Sequence, residues 1–138
     1  MKELGRVQVE PKSLIHKMKQ KLGLAPKELM LSIDAMAAET TLEIVDSFQK
    51  IKAMERETSE GAFEVMEANT PLFIHLISVA ARDSNDIQVD VIKRSIRKHW
   101  SIEEITLAIN VIYESIDFGS MFQILAVLGK IKSMVKTD

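Results

Sequence analysis

The chain has 138 residues, 46% of them hydrophobic and 28% charged, with no Cys, five Gly and three Pro. That length suits one domain with a sizeable core, and the composition excludes global disorder, disulfides, thiol catalysis and thiolate metal sites. The net charge of −2 is unevenly spread, at +4 over residues 1–30, −8 over 31–90 and +2 over 91–138. Such a dipolar pattern suits a head-to-tail contact or an oppositely charged partner, and solvated helix faces produce it as well.

In chain order, Arg6-Val7-Gln8-Val9-Glu10 alternates with period two, which predicts a short strand or an extended arm over residues 1–11. Pro11 then opens a basic amphipathic helix to residue 22. Leu14, Ile15, Met18 and Leu22 share one face, with Lys12, Lys17, Lys19 and Lys21 around the rest. Its apolar face holds no Trp or Phe to anchor it in a membrane, so packing on the acidic middle of the same chain is expected. Gly23 ends it, and Pro26 suits the first turn of the next helix.

Met30, Ile33, Ala37, Thr41, Ile44, Phe48 and Ile51 recur at steps of three or four, which predicts a helix over residues 26–58, continuous or broken at Glu39-Thr40-Thr41. Asp46 and Lys50 are spaced for an i,i+4 ion pair. Ser59-Glu60-Gly61 reads as a turn before a short acidic helix over 62–68. Thr70-Pro71 then reads as an N-cap with Pro in first helical position. Residues 71–82 (PLFIHLISVAAR) are apolar all round, the pattern of a buried central helix.

After a polar connector at 83–86, a helix over 87–98 turns Val91, Ile92 and Ile96 inward. Ser101 and Glu104 form a capping box for a helix with the ladder Ile102, Ile105, Ile109, Ile112 and Ile116. A last helix runs over 120–135, with residues 131–138 fraying. The expectation is an all-α, single-domain compact bundle of six or seven helices with a short extended N-terminal arm.

The N-terminus lacks the apolar core of a secretory signal, and the nearly uncharged stretch 121–129 is too short for a bilayer. The sequence therefore reads as soluble and cytoplasmic, with no membrane partner.

No residues are assigned to catalysis, a cofactor or a metal. His16, His75 and His99 lack metal-ligand spacing, and His75 reads as a core histidine with a satisfied hydrogen bond. Asp83 to Asp90 resembles a calcium loop but lacks the central Gly and the twelfth-position Glu. Glu39, Glu43, Asp46, Glu55, Glu57, Glu60, Glu64 and Glu67 make an acidic band suited to solvent or a basic partner.

Lys93, Arg94, Arg97 and Lys98 beside Trp100 form a basic cluster, and the helix pair over 87–116 has the outline of a helix-turn-helix. Its second helix opens with Glu103-Glu104 and has no Lys or Arg, so phosphate would repel it. The eight Met residues suit surfaces that repack against different partners, and they also fill gaps in helical cores. The candidate partner-binding residues are Met30, Met36, Met54, Met66, Lys93, Arg94, Arg97, Trp100, Met121 and Met134.

The apolar helix PLFIHLISVAARDS, the polar connector, the helix VDVIKRSIRKHW and the acid-capped helix SIEEITLAINVIYESID follow one another in an order that resembles the tail assembly chaperones of long-tailed bacteriophages, the lambda-type minor tail assembly protein G among them. The resemblance covers half the chain and rests on pattern. It implies a small helical protein, in the host cytoplasm, that coats the long helical tape measure protein and recruits tail tube subunits. It also implies a frameshifted longer product, with Leu128-Gly129-Lys130 where a slip site would fall. The remaining alternatives are a helical nucleic-acid-binding regulator using residues 87–116, a generic protein–protein adaptor, and an enzyme built around His75.

Overall fold

The computed structural model describes residues 2–33, 36–53, 55–82 and 88–136. Among them are six helices and a two-stranded antiparallel sheet, so the protein is predominantly helical rather than all-α. The period-two segment becomes β1 (Lys2–Gln8), and β2 (Glu28–Ile33) pairs with it from Lys2↔Ile33 to Gln8↔Glu28. A bulge between Glu3 and Gly5 interrupts the register, and Gly5 takes φ +146°, a conformation that side chains disfavour. Leu4, Val7, Leu31 and Ile33 on the sheet's inner face are buried in the core.

This strand overturns the helix expected over 26–58. Met30 and Ile33 fit a helical stripe, but ELMLSI also carries the apolar content of a strand, and β1 supplies its ladder of hydrogen bonds. Helix α2 is confined to Ala38–Gln49, with Thr40, Ile44 and Ser47 buried. The Asp46–Lys50 pair forms at 3.1 Å on its exposed side.

Between the strands, α1 (Leu14–Lys21) is capped by the Ser13 hydroxyl, which accepts from the His16 N–H, and Gly23 follows at φ +75°. Its apolar face does not pack on the acidic band: Leu14, Ile15, Met18 and Leu22 are exposed. The helix is held instead by buried Gln20, whose Nε2 donates to the carbonyls of Val9 (3.0 Å) and Pro26 (3.1 Å). A polar anchor has taken the place of an apolar seam.

Helix α3 spans Ser59–Arg82 without interruption, so Pro71 lies inside it rather than at its start. The missing Pro N–H leaves one backbone hydrogen bond of the ladder unmade, and the buried turns from Ile74 onward carry the helix past it. The expected central helix is real from Ile74 onward, where Leu76, Ile77, Ser78, Ala80 and Ala81 are fully or almost fully buried. Asn69 fixes the approach of the 50–53 segment, its Nδ2 donating to the Lys52 carbonyl (2.7 Å) and its Oδ1 accepting from the Lys52 N–H (2.8 Å).

Helices α4 (Val89–His99) and α5 (Ile102–Ser115) complete the core. The capping box of α5 is present in both directions. Ile105, Ile112 and Ile116 are buried, Ile109 is half-buried, and Ile102 is exposed. Asp117 then caps α6 (Phe118–Lys136), its Oδ1 accepting from the Ser120 N–H at 2.9 Å. Hydrogen bonds from Ser120 hold the Asp117 carboxyl below its ordinary range. The tail expected to fray from 131 continues this helix to Lys136.

Candidate functional site

A groove of about 740 Å³ opens between α3 and α4 and runs to the first turn of α5. Its α3 wall follows from sequence: Phe63, Met66, Thr70 and Ile74 stand three or four residues apart on one helix, so they line up once the helix runs through Pro71. Ile102 closes one end. On the α4 side Lys93 and Arg97, one turn apart, put two cations on the rim, while Glu67 on α3 adds one carboxylate. His75 also lines the groove. Burial, then the nearby Lys93 charge, lowers its pKa and favours the neutral ring. The arrangement is an apolar trough with a largely cationic edge, suited to the apolar side of an amphipathic helix carrying carboxylates on its flank.

The ten candidate residues fall into different places. Met66, Lys93 and Arg97 meet at this groove. Arg94 is half-buried on α4, and its Nε is buried without a hydrogen-bond partner among the described residues. Trp100 is buried and fixed inside the fold: its Nε1 donates to the Arg6 carbonyl at 2.7 Å, and its ring would lie 3.0 Å from a Cβ placed on Gly5. Met30 is half-buried in β2 opposite Arg6, and Met36 and Met121 pack against the core. Met134 is exposed on α6. Met54 lies outside the described residues, as do residues 83–87 of the calcium-like segment.

The groove residues missed from sequence are Phe63, Thr70, Ile74 and Ile102. The signal for Phe63, Thr70 and Ile74 was present as a stripe crossing residue 70, hidden by reading Pro71 as a helix start, while Ile102 reads in sequence as facing the core. Within the acidic band Glu43 of α2 bonds Arg82 of α3 at 2.8 Å, Asp46 bonds Lys50 at 3.1 Å and Glu64 bonds Arg56 at 3.1 Å. Among the described residues no group of three His, Asp or Glu side chains is arranged to hold a metal ion.

A second apolar surface lies on α6. None of its residues from Phe118 to Val135 is buried, and by length and composition this helix is long and apolar enough to cross a membrane. Phe118 packs on Tyr113 with ring centroids 5.5 Å apart, and Met121 touches the core. Beyond them Phe122, Ile124, Leu125, Val127, Leu128 and Ile131 are exposed.

The class defined by these features is a predominantly helical protein with a small antiparallel sheet and exposed apolar surfaces. In comparisons with family models, curated proteins and solved structures, the chain matches none.

Proposed function

We propose that this protein is a non-enzymatic assembly chaperone that takes up an amphipathic helical segment of a structural protein, in a phage tail the tape measure protein, and brings tail tube subunits to it. The observation that carries the reading is the groove between α3 and α4, with Phe63, Met66 and Ile74 along its length and Lys93 and Arg97 on its rim. The fit is to a helix with an apolar stripe and acidic flanks, which gains hydrophobic burial in the trough and register from the charges. The order of helices from α3 to α5 supports the phage-tail form of the reading through its resemblance to tail assembly chaperones.

The test is co-expression with the long helical protein and the tube protein encoded beside it. The expected result is a soluble complex that Phe63→Glu and Arg97→Glu each weaken by about tenfold or more, since either change removes a contact on the surface of a folded chain. A folded chain that binds neither protein overturns the proposal. DNA or RNA binding that weakens steeply with salt and is lost in Arg97→Glu would assign the same cations to a nucleic-acid regulator instead.

A further inference from the structure

Helix α6 carries more ordered apolar surface than a solvated helix needs. Met121, Ile124, Leu128, Ile131 and Val135 follow one another at steps of three, four, three and four. That 3.5-residue period is the a/d seam of a coiled coil, and Leu125 and Val127 widen it on either side. Gln123, Lys130 and Ser133 lie on the opposite face, beside Phe122 and Ala126. The seam starts against the core at Met121 and continues outward over exposed residues. A 19-residue helix is only marginally stable in water by itself, so a covered seam gives it a reason to persist.

We infer that α6 pairs antiparallel with α6 of a second copy of this chain, making the protein a homodimer through its C-terminal helix. Three observations select this occupant. The heptad period matches another helix with the same period, and an identical chain supplies one. The seam and its flanks leave Ile124, Leu125, Val127, Leu128, Ile131 and Val135 all open to solvent, apolar surface of the kind a stable interface buries. The charges then set the direction. The described α6 has Lys130 and Lys132 near its end and no acidic residue, and Asp117 stands just before its start. A parallel pair would put the lysines of both copies together. An antiparallel pair centred near residue 126 layers Met121 on Ile131 and Ile124 on Leu128 of the other copy. It also brings Lys132 of each copy to the Asp117 end of the other, and it opposes the two helix dipoles favourably.

The other surfaces fit α6 less well. The α3–α4 groove presents Lys93 and Arg97 to a helix that is itself cationic. A single bilayer span would bury the Gln123 amide and the Lys130 ammonium in hydrocarbon at a cost. This inference goes beyond the proposed chaperone role and leaves the client groove free in each copy.

The experiment is sedimentation equilibrium of the full chain over a range of concentrations. The expected mass is about twice the 15.6 kDa of one chain. Leu128→Glu, at an exposed position, is expected to keep the domain folded by circular dichroism and to raise the dimer Kd by about 100-fold or more. Because the chain has no native Cys, single thiols report the direction. Ile131→Cys alone is expected not to crosslink, since its two copies would lie about 15 Å apart along the axis at 1.5 Å per residue. Mixed with Met121→Cys chains, it is expected to crosslink readily. Rapid crosslinking of Ile131→Cys alone overturns the antiparallel arrangement. A chain monomeric to about 100 µM overturns the dimer. If that monomer binds phosphatidylglycerol vesicles, or pairs through α6 only with a client, α6 belongs to that partner instead.

Discussion

Glu10 shows how single polar groups hold the sheet to the helices. Its N–H donates to the Ser95 hydroxyl at 2.9 Å, and its carboxylate lies 3.0 Å from His99 Nε2 and 3.6 Å from Lys98 Nζ. The hydrogen bond to His99 is the main cause that holds the Glu10 carboxyl below its ordinary value of 4.5. A carboxyl depressed in the folded state adds stability that is complete above the unfolded pKa and is lost as pH falls through the folded one. Glu10→Gln is therefore expected to flatten part of the acid-side loss of stability, most visibly between about pH 5 and pH 3. Urea midpoints across that range read the difference, and parallel profiles for the two chains would show that Glu10 makes no such contribution. None of this was legible in sequence, because Glu10 and His99 stand 89 positions apart. Trp100 misled for the same reason: a Trp among cations reads as a binding residue until the Arg6 carbonyl and the bare backbone of Gly5 are found beneath it.

At the scale of elements, the helices with local signals are the ones the sequence locates. The Ser101–Glu104 box starts α5 where expected, and its isoleucine ladder faces inward except at Ile102. The failures sit where a local pattern admits two structures. Residues 28–33 satisfy a helical stripe and a strand, and only the distant β1 decides between them. Pro71 suits a helix start and is also tolerated inside a long helix whose following turns are buried. The join between α2 and α3 depends on Asn69, which replaces a turn of backbone pairing by bonding both polar groups of Lys52. Asn69→Leu leaves those groups without their partner and is expected to cost about 2–4 kcal/mol. Denaturant unfolding measures that loss, and limited proteolysis should show faster cleavage near residues 50–58. An unchanged midpoint would mean that the join is held by other contacts.

Over the whole molecule, the sheet, α2, α3, α4 and α5 share one core cluster, while among the described residues α6 adds Met121 alone to its edge. A chain ending at residue 117 is accordingly expected to unfold in one cooperative transition whose midpoint does not change with protein concentration. The full chain's midpoint is expected to rise with concentration, because pairing stabilises the folded form by mass action. Differential scanning calorimetry at two concentrations distinguishes them. A truncated chain that fails to fold would place α6 within the core's cooperative unit.

The sequence by itself determined the predominantly helical character, the Ser101–Glu104 capping box, the central apolar helix and the basic α4 face. Each of these is written in spacing within one or two turns of chain. Tertiary structure alone decided that residues 28–33 are a strand, that Trp100 is a core residue, that α3 runs through Pro71 to form a groove wall, and that α1 and α6 leave their apolar faces uncovered. Those outcomes depend on which distant groups satisfy a backbone polar atom or cover an apolar side chain, and the local pattern is compatible with more than one answer.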